Sequence, residues 1–171
     1  ASQGITVGGM TESGRTTQRR VLDAVQRLRL WQPGDSVCLA VSGGVDSMVL
    51  MHLMHRTQGA HGARLSVVSI DHGLRTESAQ EVDMVSAAAA ELNLPFHAVR
   101  LDIGPGPNLA ERAREARQTA LRARGTDWIA TGHHQDDQAE TVLFHLLRGS
   151  GMRGLMGMRA KSDPWVRPLL F

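Results

Sequence analysis

Cysteine and lysine are almost missing from this 171-residue chain: Cys38 is the sole thiol and Lys161 the sole lysine. One cysteine excludes an internal disulfide framework and any Cys-x-x-Cys metal site, and it makes a cytosolic compartment the expected default. No apolar run reaches the ~18–20 residues that a membrane span needs. No charged-then-apolar opening reads as a signal peptide. A formal net charge of +2 excludes a chain that binds nucleic acid by bulk charge. The positive charge that is present is nearly all arginine, whose planar fork suits phosphate and carboxylate. Hydrophobic content of 42% with 21% charged residues belongs to an ordinary globular chain, long enough for one domain with one core.

Against that background one stretch stands out. Residues 37–41 form a short apolar run of the buried-strand type, followed by Ser42-Gly43-Gly44-Val45-Asp46-Ser47 and an apolar helical segment. Strand, glycine turn and helix together aim free backbone N–H groups and a positive helix end at an anion. Gly43 and Gly44 allow a tight turn and a close approach. Ser42 and Ser47 add hydroxyl donors, and the Asp46 carboxylate can hold a magnesium ion. The stretch is not a Walker loop, because no lysine is near. It resembles the pyrophosphatase loop of enzymes that cleave ATP between the α and β phosphates, such as GMP, NAD and asparagine synthetases and several tRNA-modifying enzymes.

The rest of the chain supplies alternating elements. Residues 1–14 read as a disordered leader, partly a cloning remnant ahead of a native start at Met10, and residues 15–171 as the catalytic domain. Val21, Leu22, Val25 and Leu28 recur at helical spacing, predicting a helix over 15–31 that Pro33-Gly34-Asp35 ends. The helix over 45–58 is apolar almost all round; His52 and His55 on it are read as packed side chains and not as a metal pair. Strands are expected at 65–70, 96–101 and 127–131, with a fifth beginning in 165–170. Ser78 and Glu81 fit a capping box, and Asn108 reads as the cap of a helix to Arg124. Strands alternating with helices imply an α/β fold, a doubly wound, Rossmann-like parallel sheet of about five strands with helices on both faces. The loops at 42–47, 71–75 and 132–138 all leave C-terminal strand ends, where such sheets bind ligands.

Several segments in this order resemble the catalytic domain of the tRNA(Ile)-lysidine synthetases: Asp71-His72-Gly73-Leu74-Arg75, Asn108-Leu109 with Arg112, Arg114 and Arg117, Gly-His-His-x-Asp-Asp-Gln-x-Glu-Thr over 132–141, Arg148-Gly149-Ser150-Gly151, and Arg167-Pro168-Leu169-Leu170. The likeness covers about residues 15–171. Gln118 stands where tyrosine is usual, and the chain stops at Phe171 where relatives continue into a helical region that helps grip tRNA. The resemblance implies adenylation of C2 of cytidine 34 in tRNA(Ile) with a CAU anticodon, then displacement of AMP by free L-lysine. The implied cofactors are ATP, held by Ser42, Gly43, Gly44, Val45, Asp46 and Ser47, and Mg2+, held by Asp46 and Asp137. It is compatible with a homo-oligomer and calls for no membrane.

Asp46, Arg112, His133, Asp137 and Glu140 are the expected catalytic set. A helix running from Gln135 puts Asp137, Glu140, Thr141 and Phe144 on one face; the bland alternative is that Asp136 and Asp137 only favour the helix N-terminus. Lysine must lose a proton before it attacks, which calls for a carboxylate or an imidazole. His133-His134 lacks the partners of a zinc site. Arg112 and Arg117 flank the Leu109, Ala113, Ala116, Ala120 stripe on opposite sides, and the family pattern favours Arg112 for the lysine carboxylate, with Glu140 for its amine. Arg148, Arg153, Arg159 and Lys161 make the following segment basic, either a tRNA contact or a solvated loop. Two other readings stand beside this one: tRNA thiolation, which needs a reactive cysteine, and a non-catalytic adenine-nucleotide binder.

Overall fold

The computed structural model describes residues 12–71, 77–139 and 157–171. Helix α1 (Glu12–Arg27) precedes β1 (Ser36–Ala40), α2 (Val45–His61), β2 (Arg64–Asp71), α3 (Glu77–Glu91), β3 (Phe96–Arg100), α4 (Leu109–Arg122) and β4 (Trp128–Thr131). The chain closes with β5 (Lys161–Ser162) and β6 (Trp165–Val166).

These form one six-stranded sheet in the order β3-β2-β1-β4-β6-β5. The five strands expected from the sequence all run parallel. The sequence reading missed β5, which pairs antiparallel with β6 at the edge; two residues are too few to show any period. Strands β1, β2 and β3 step outward in one direction, and β4 then returns to the far side of β1. The winding reverses between β1 and β4, and a reversal of this kind opens a crevice beyond the strand ends.

Alternation along the strands divides the core. Val37, Leu39 and Val41 of β1, with Leu65 and Val67 of β2, face Val21 and Val25 of α1, Leu50, Met51 and Met54 of α2, and Val85 and Ala89 of α3. The opposite face is thinner: Cys38, Val68 and Ile129 pack on Leu121 of α4. Helices therefore cover both faces, with α4 alone against the second.

Two helix ends differ from expectation in an informative way. Helix α1 stops at Arg27, short of Trp31, because Arg29 turns left-handed (φ 48°). Leu30 N–H then returns to the Val25 carbonyl and Arg29 N–H to that of Gln26, a Schellman ending that plunges Leu30 and Trp31 into the core. Helix α3 ends likewise through Asn93 (φ 53°), with Leu94 N–H bonded to the Ala89 carbonyl. At its start, α3 already includes Glu77, so Ser78 lies inside the helix and is not its cap. Asn108 occupies the N-cap position of α4, but with left-handed backbone and no side-chain capping bond.

Candidate nucleotide site at the switch point

The loop after β1 is braced by its own serines. Ser47 Oγ donates to the Gly44 carbonyl at 2.8 Å and accepts the Ser42 N–H at 3.1 Å, and the two hydroxyls lie 3.2 Å apart. Expected as donors to a ligand, these hydroxyls shape the loop instead. Gly43 adopts φ 87°, and a Cβ there would meet Glu81 Cβ of α3 at 3.1 Å, so glycine is required twice over. No side chain caps α2 at Gly44. The first-turn N–H groups of α2 thus keep the positive end of the helix available to an anion.

The loop after β4 closes onto that helix end. A Cβ on Gly132 would stand 3.0 Å from Asp46 C and O and from Ser47 N, so only glycine lets the two loops meet. Beyond it the backbone is helical over residues 135–139. His134 caps this turn: its Nδ1 accepts the Asp136 N–H at 3.2 Å, while its own N–H donates to Asp137 Oδ2 at 2.8 Å. His134 Nε2 lies 3.2 Å from Asp46 Oδ2 and 3.7 Å from Asp137 Oδ2. Asp46 and Asp137, expected to share a magnesium ion, are therefore brought together from two loops. Gln138 clamps the backbone of Met158, donating to its carbonyl and accepting its N–H, and fixes the segment that leads into β5.

Between these parts lies a cleft of about 260 Å³, lined at one end by Ser42, Gly44, Asp46 and Asp137 and at the other by Val68, Ile70, Leu121 and Arg117. Polar groups for phosphate and an apolar slot for a flat ring thus share one cavity. His133 also lines it, with Nδ1 2.8 Å from Thr131 Oγ1. Burial first, then the nearby Arg167 charge, pushes its pKa below the ordinary imidazole value, against the opposing pull of Asp137. Arg167 follows β6, next to β4, and its buried Nε has no hydrogen-bond partner among the described residues.

The arginine that reaches the cleft is Arg117, not Arg112. Burial and the neighbouring Arg114 charge lower its pKa, yet a guanidinium stays charged; a half-buried cation of this kind calls for an anion. Arg112 instead donates to the Gly104 carbonyl at 2.5 Å and lies over Gly106, fastening the loop between β3 and α4. Lys161 sits on the ring of Trp128, 4.1 Å from its centroid, and bonds the Arg29 carbonyl near the N-terminal strand ends. That placement takes it away from the cleft. Arg159 is exposed, and its carbonyl accepts a bond from Arg167. Glu140, Arg148, Arg153 and residues 72–75 lie outside the described residues. His134 and Arg117 are the site residues that sequence reasoning passed over. Helical spacing left Arg112 and Arg117 on either flank of one stripe, and only the packing of α4 says which flank faces the crevice.

The two carboxylates suit magnesium, which takes hard oxygens, often one or two from protein with the rest from phosphate and water. Among the described residues no group of three or more His, Cys, Asp or Glu side chains is placed to hold a metal alone. Cys38 is fully buried in mid-strand with its thiol pushed up to about 11, chiefly by burial. It is chemically quiet.

A doubly wound parallel sheet with a glycine-turned, uncapped helix at its switch point defines an α/β nucleotide-binding domain of the Rossmann-like kind. The chain belongs to the PP-loop domain family, which matches residues 14–171. Among curated proteins it is 47% identical over 148 residues to the tRNA(Ile)-lysidine synthase of Novosphingobium aromaticivorans, covering 82% of this chain and 44% of that protein. It is 38% identical over 164 residues to the tRNA(Ile)-lysidine synthase of Chlorobaculum tepidum, covering 90% of this chain and 50% of that one. The chain thus spans about half the length of these relatives. Among solved structures it resembles the U34-tRNA thiolase NcsA from Methanococcus maripaludis, with a TM-score of 0.74 at 19% identity over 93% of this chain and 60% of that one. At that identity the likeness is one of fold. No helix among the described residues is long and apolar enough to cross a membrane.

Proposed function

We propose that this chain is the adenylating domain of a tRNA(Ile)-lysidine synthase, using ATP to activate C2 of cytidine 34 and then admitting free lysine to displace AMP. The observation that carries this reading is the cleft itself. An uncapped helix end and a half-buried arginine, Arg117, border one cavity, with Asp46 and Asp137 beside the loop. The N–H groups at the start of α2 hold the phosphates that leave, and Arg117 meets charge that develops at the α-phosphate. Val68, Ile70 and Leu121 take the adenine ring. Asp46 and Asp137 would hold magnesium, which neutralises phosphate charge when bound. The proton of the lysine ammonium goes to a carboxylate in preference to His133, because burial and the Arg167 charge keep that imidazole weakly basic. Glu140, one helical turn beyond Asp137 in sequence, is the candidate.

The tRNA grip belongs to a region that follows this domain in the longer relatives, and the cytoplasm is the compartment where tRNA, ATP and lysine meet. Thiolation fits less well, since this chain supplies one thiol and buries it. The test is to incubate the chain with ATP, labelled lysine and CAU-anticodon transcripts of tRNA(Ile). Pyrophosphate release that depends on the transcript, with lysine appearing in the RNA, is the expected result. Pyrophosphate release that is indifferent to C34, with no lysine in the RNA, overturns the assignment.

A further inference from the structure

His134 stands at the join of the two switch-point loops, and its hydrogen bonds fix its tautomer. Nδ1 accepts the Asp136 N–H, so the ring proton is on Nε2. That single N–H faces one oxygen from each carboxylate, 3.2 Å from Asp46 Oδ2 and 3.7 Å from Asp137 Oδ2. A magnesium ion bound to both oxygens at ~2.1 Å needs the lone pairs and the space that the N–H takes. Asp46 is otherwise exposed, so without His134 nothing else printed in the loop geometry would tie it to Asp137.

We propose that His134 is a latch: its Nε2–H holds Asp46 and Asp137 together in the nucleotide-free chain, so that a divalent cation enters with the nucleotide phosphates and not alone. The inference rests on the reading of these two carboxylates as cation ligands. Two effects oppose each other. By restraining Asp46 the histidine organises the ligands, and by occupying their oxygens it competes with the ion. A hydrogen bond to a carboxylate outweighs the rotamer freedom of one exposed aspartate, so competition wins. Phosphate oxygens arriving with the ion supply the further ligands that open the latch.

Asparagine separates the two duties of this residue. It is as good an N-cap as aspartate or serine, but it is too short to reach Asp46. His134→Asn therefore keeps the cap and deletes the bridge. With Mn2+ alone as the probe, counted by the EPR signal of the free ion, the variant is expected to bind about tenfold tighter than the parent chain. Adding Asp46→Asn should abolish that gain. Affinity for Mn2+ equal to or weaker than the parent's overturns the latch. Should the variant fail to fold, 15N imidazole shifts of the parent chain decide: an Nε2-protonated His134 that changes on adding magnesium and ATP is expected, and an Nδ1-protonated ring overturns it. No RNA enters either measurement. A chain that modifies no tRNA yet shows the Mn2+ gain keeps the latch, and one that modifies tRNA without the gain loses the latch alone.

Discussion

The two ends of the sheet differ in how their polar groups are used. At the N-terminal ends the groups satisfy one another. Ser36 gives both its N–H and its hydroxyl to Asp127 Oδ2, and its Oγ takes the Asp127 N–H in return. Asp35 Oδ2 receives the Trp128 indole N–H and the Gln32 N–H, and Arg64 Nε bonds the Gly34 carbonyl. At the C-terminal ends α2 begins without a cap, Arg117 borders the cleft, and Arg167 Nε is buried without a partner among the described residues. A closed polar network adds order; an open one stores binding capacity for a ligand that completes it. The same fold places stability at one rim and chemistry at the other.

Substitution at the open rim should separate activity from folding most widely at Asp46. It is exposed and packs against nothing in the core, so Asp46→Ala is expected to keep the parent melting temperature. Magnesium-dependent pyrophosphate release should fall roughly a thousandfold, as when a transition-state charge partner is removed. A variant that turns over at the parent rate would contradict the cleft assignment.

A second comparison sits within α4. Arg117 borders the cleft, whereas Arg112 is spent on the Gly104 carbonyl. Arg117→Ala should lower turnover about a hundredfold, and Arg117→Lys should recover little of it, because an ammonium lacks the planar fork. Arg112→Ala should cost less than about tenfold, through a looser loop after β3. Paired kcat and KM measurements on ATP and lysine decide it. The reverse ranking would return the anion site to Arg112.

These outcomes bear on what the sequence could reveal. The winding, the phosphate loop and the meeting of Asp46 with Asp137 were all legible, because strand alternation and the glycine turn are local patterns with one spatial consequence. The roles of Ser42, Ser47, His134 and Arg112 were not. Each depends on which neighbour a side chain finds first: Ser47 finds the Gly44 carbonyl, His134 the two carboxylates, Arg112 its own loop. Residue type announces the capacity for a hydrogen bond, and only packing selects the partner. Lys161 makes the same point, since a cation in a basic segment was as ready to cover Trp128 as to meet phosphate.

A smaller effect is expected within the thin second core. Cys38→Ala leaves a cavity beside Ile129 and Leu121 and should cost about 1 kcal/mol, read from denaturant midpoints, with turnover retained. With the thiol pushed up to about 11 and the side chain buried, the native parent should react slowly with thiol reagents at pH 8. Rapid labelling, or turnover lost without loss of fold, would reopen a role for the thiol in the chemistry.

The smallest effect belongs to the closed rim. The hydrogen bond from the Ser36 hydroxyl, and then that from the Ser36 N–H, hold the Asp127 carboxyl below its ordinary value. A depressed carboxylate stabilises the fold above its unfolded pKa of about 3.9. That contribution is lost as pH falls through the folded value. In Asp127→Asn the amide oxygen can still accept from Ser36, but it carries no charge to strengthen those bonds or to titrate. The parent should therefore melt slightly above the variant at neutral pH, and the gap should close as the solution is acidified below about pH 4. Because Asp127 is open to solvent, added salt should narrow the gap at neutral pH as well. Melting curves of both chains between neutral and strongly acid pH, at low and high salt, measure it directly. A gap that stayed constant across that range would mean that the carboxylate charge adds nothing, and that the closed rim holds by the geometry of its donors and acceptors alone.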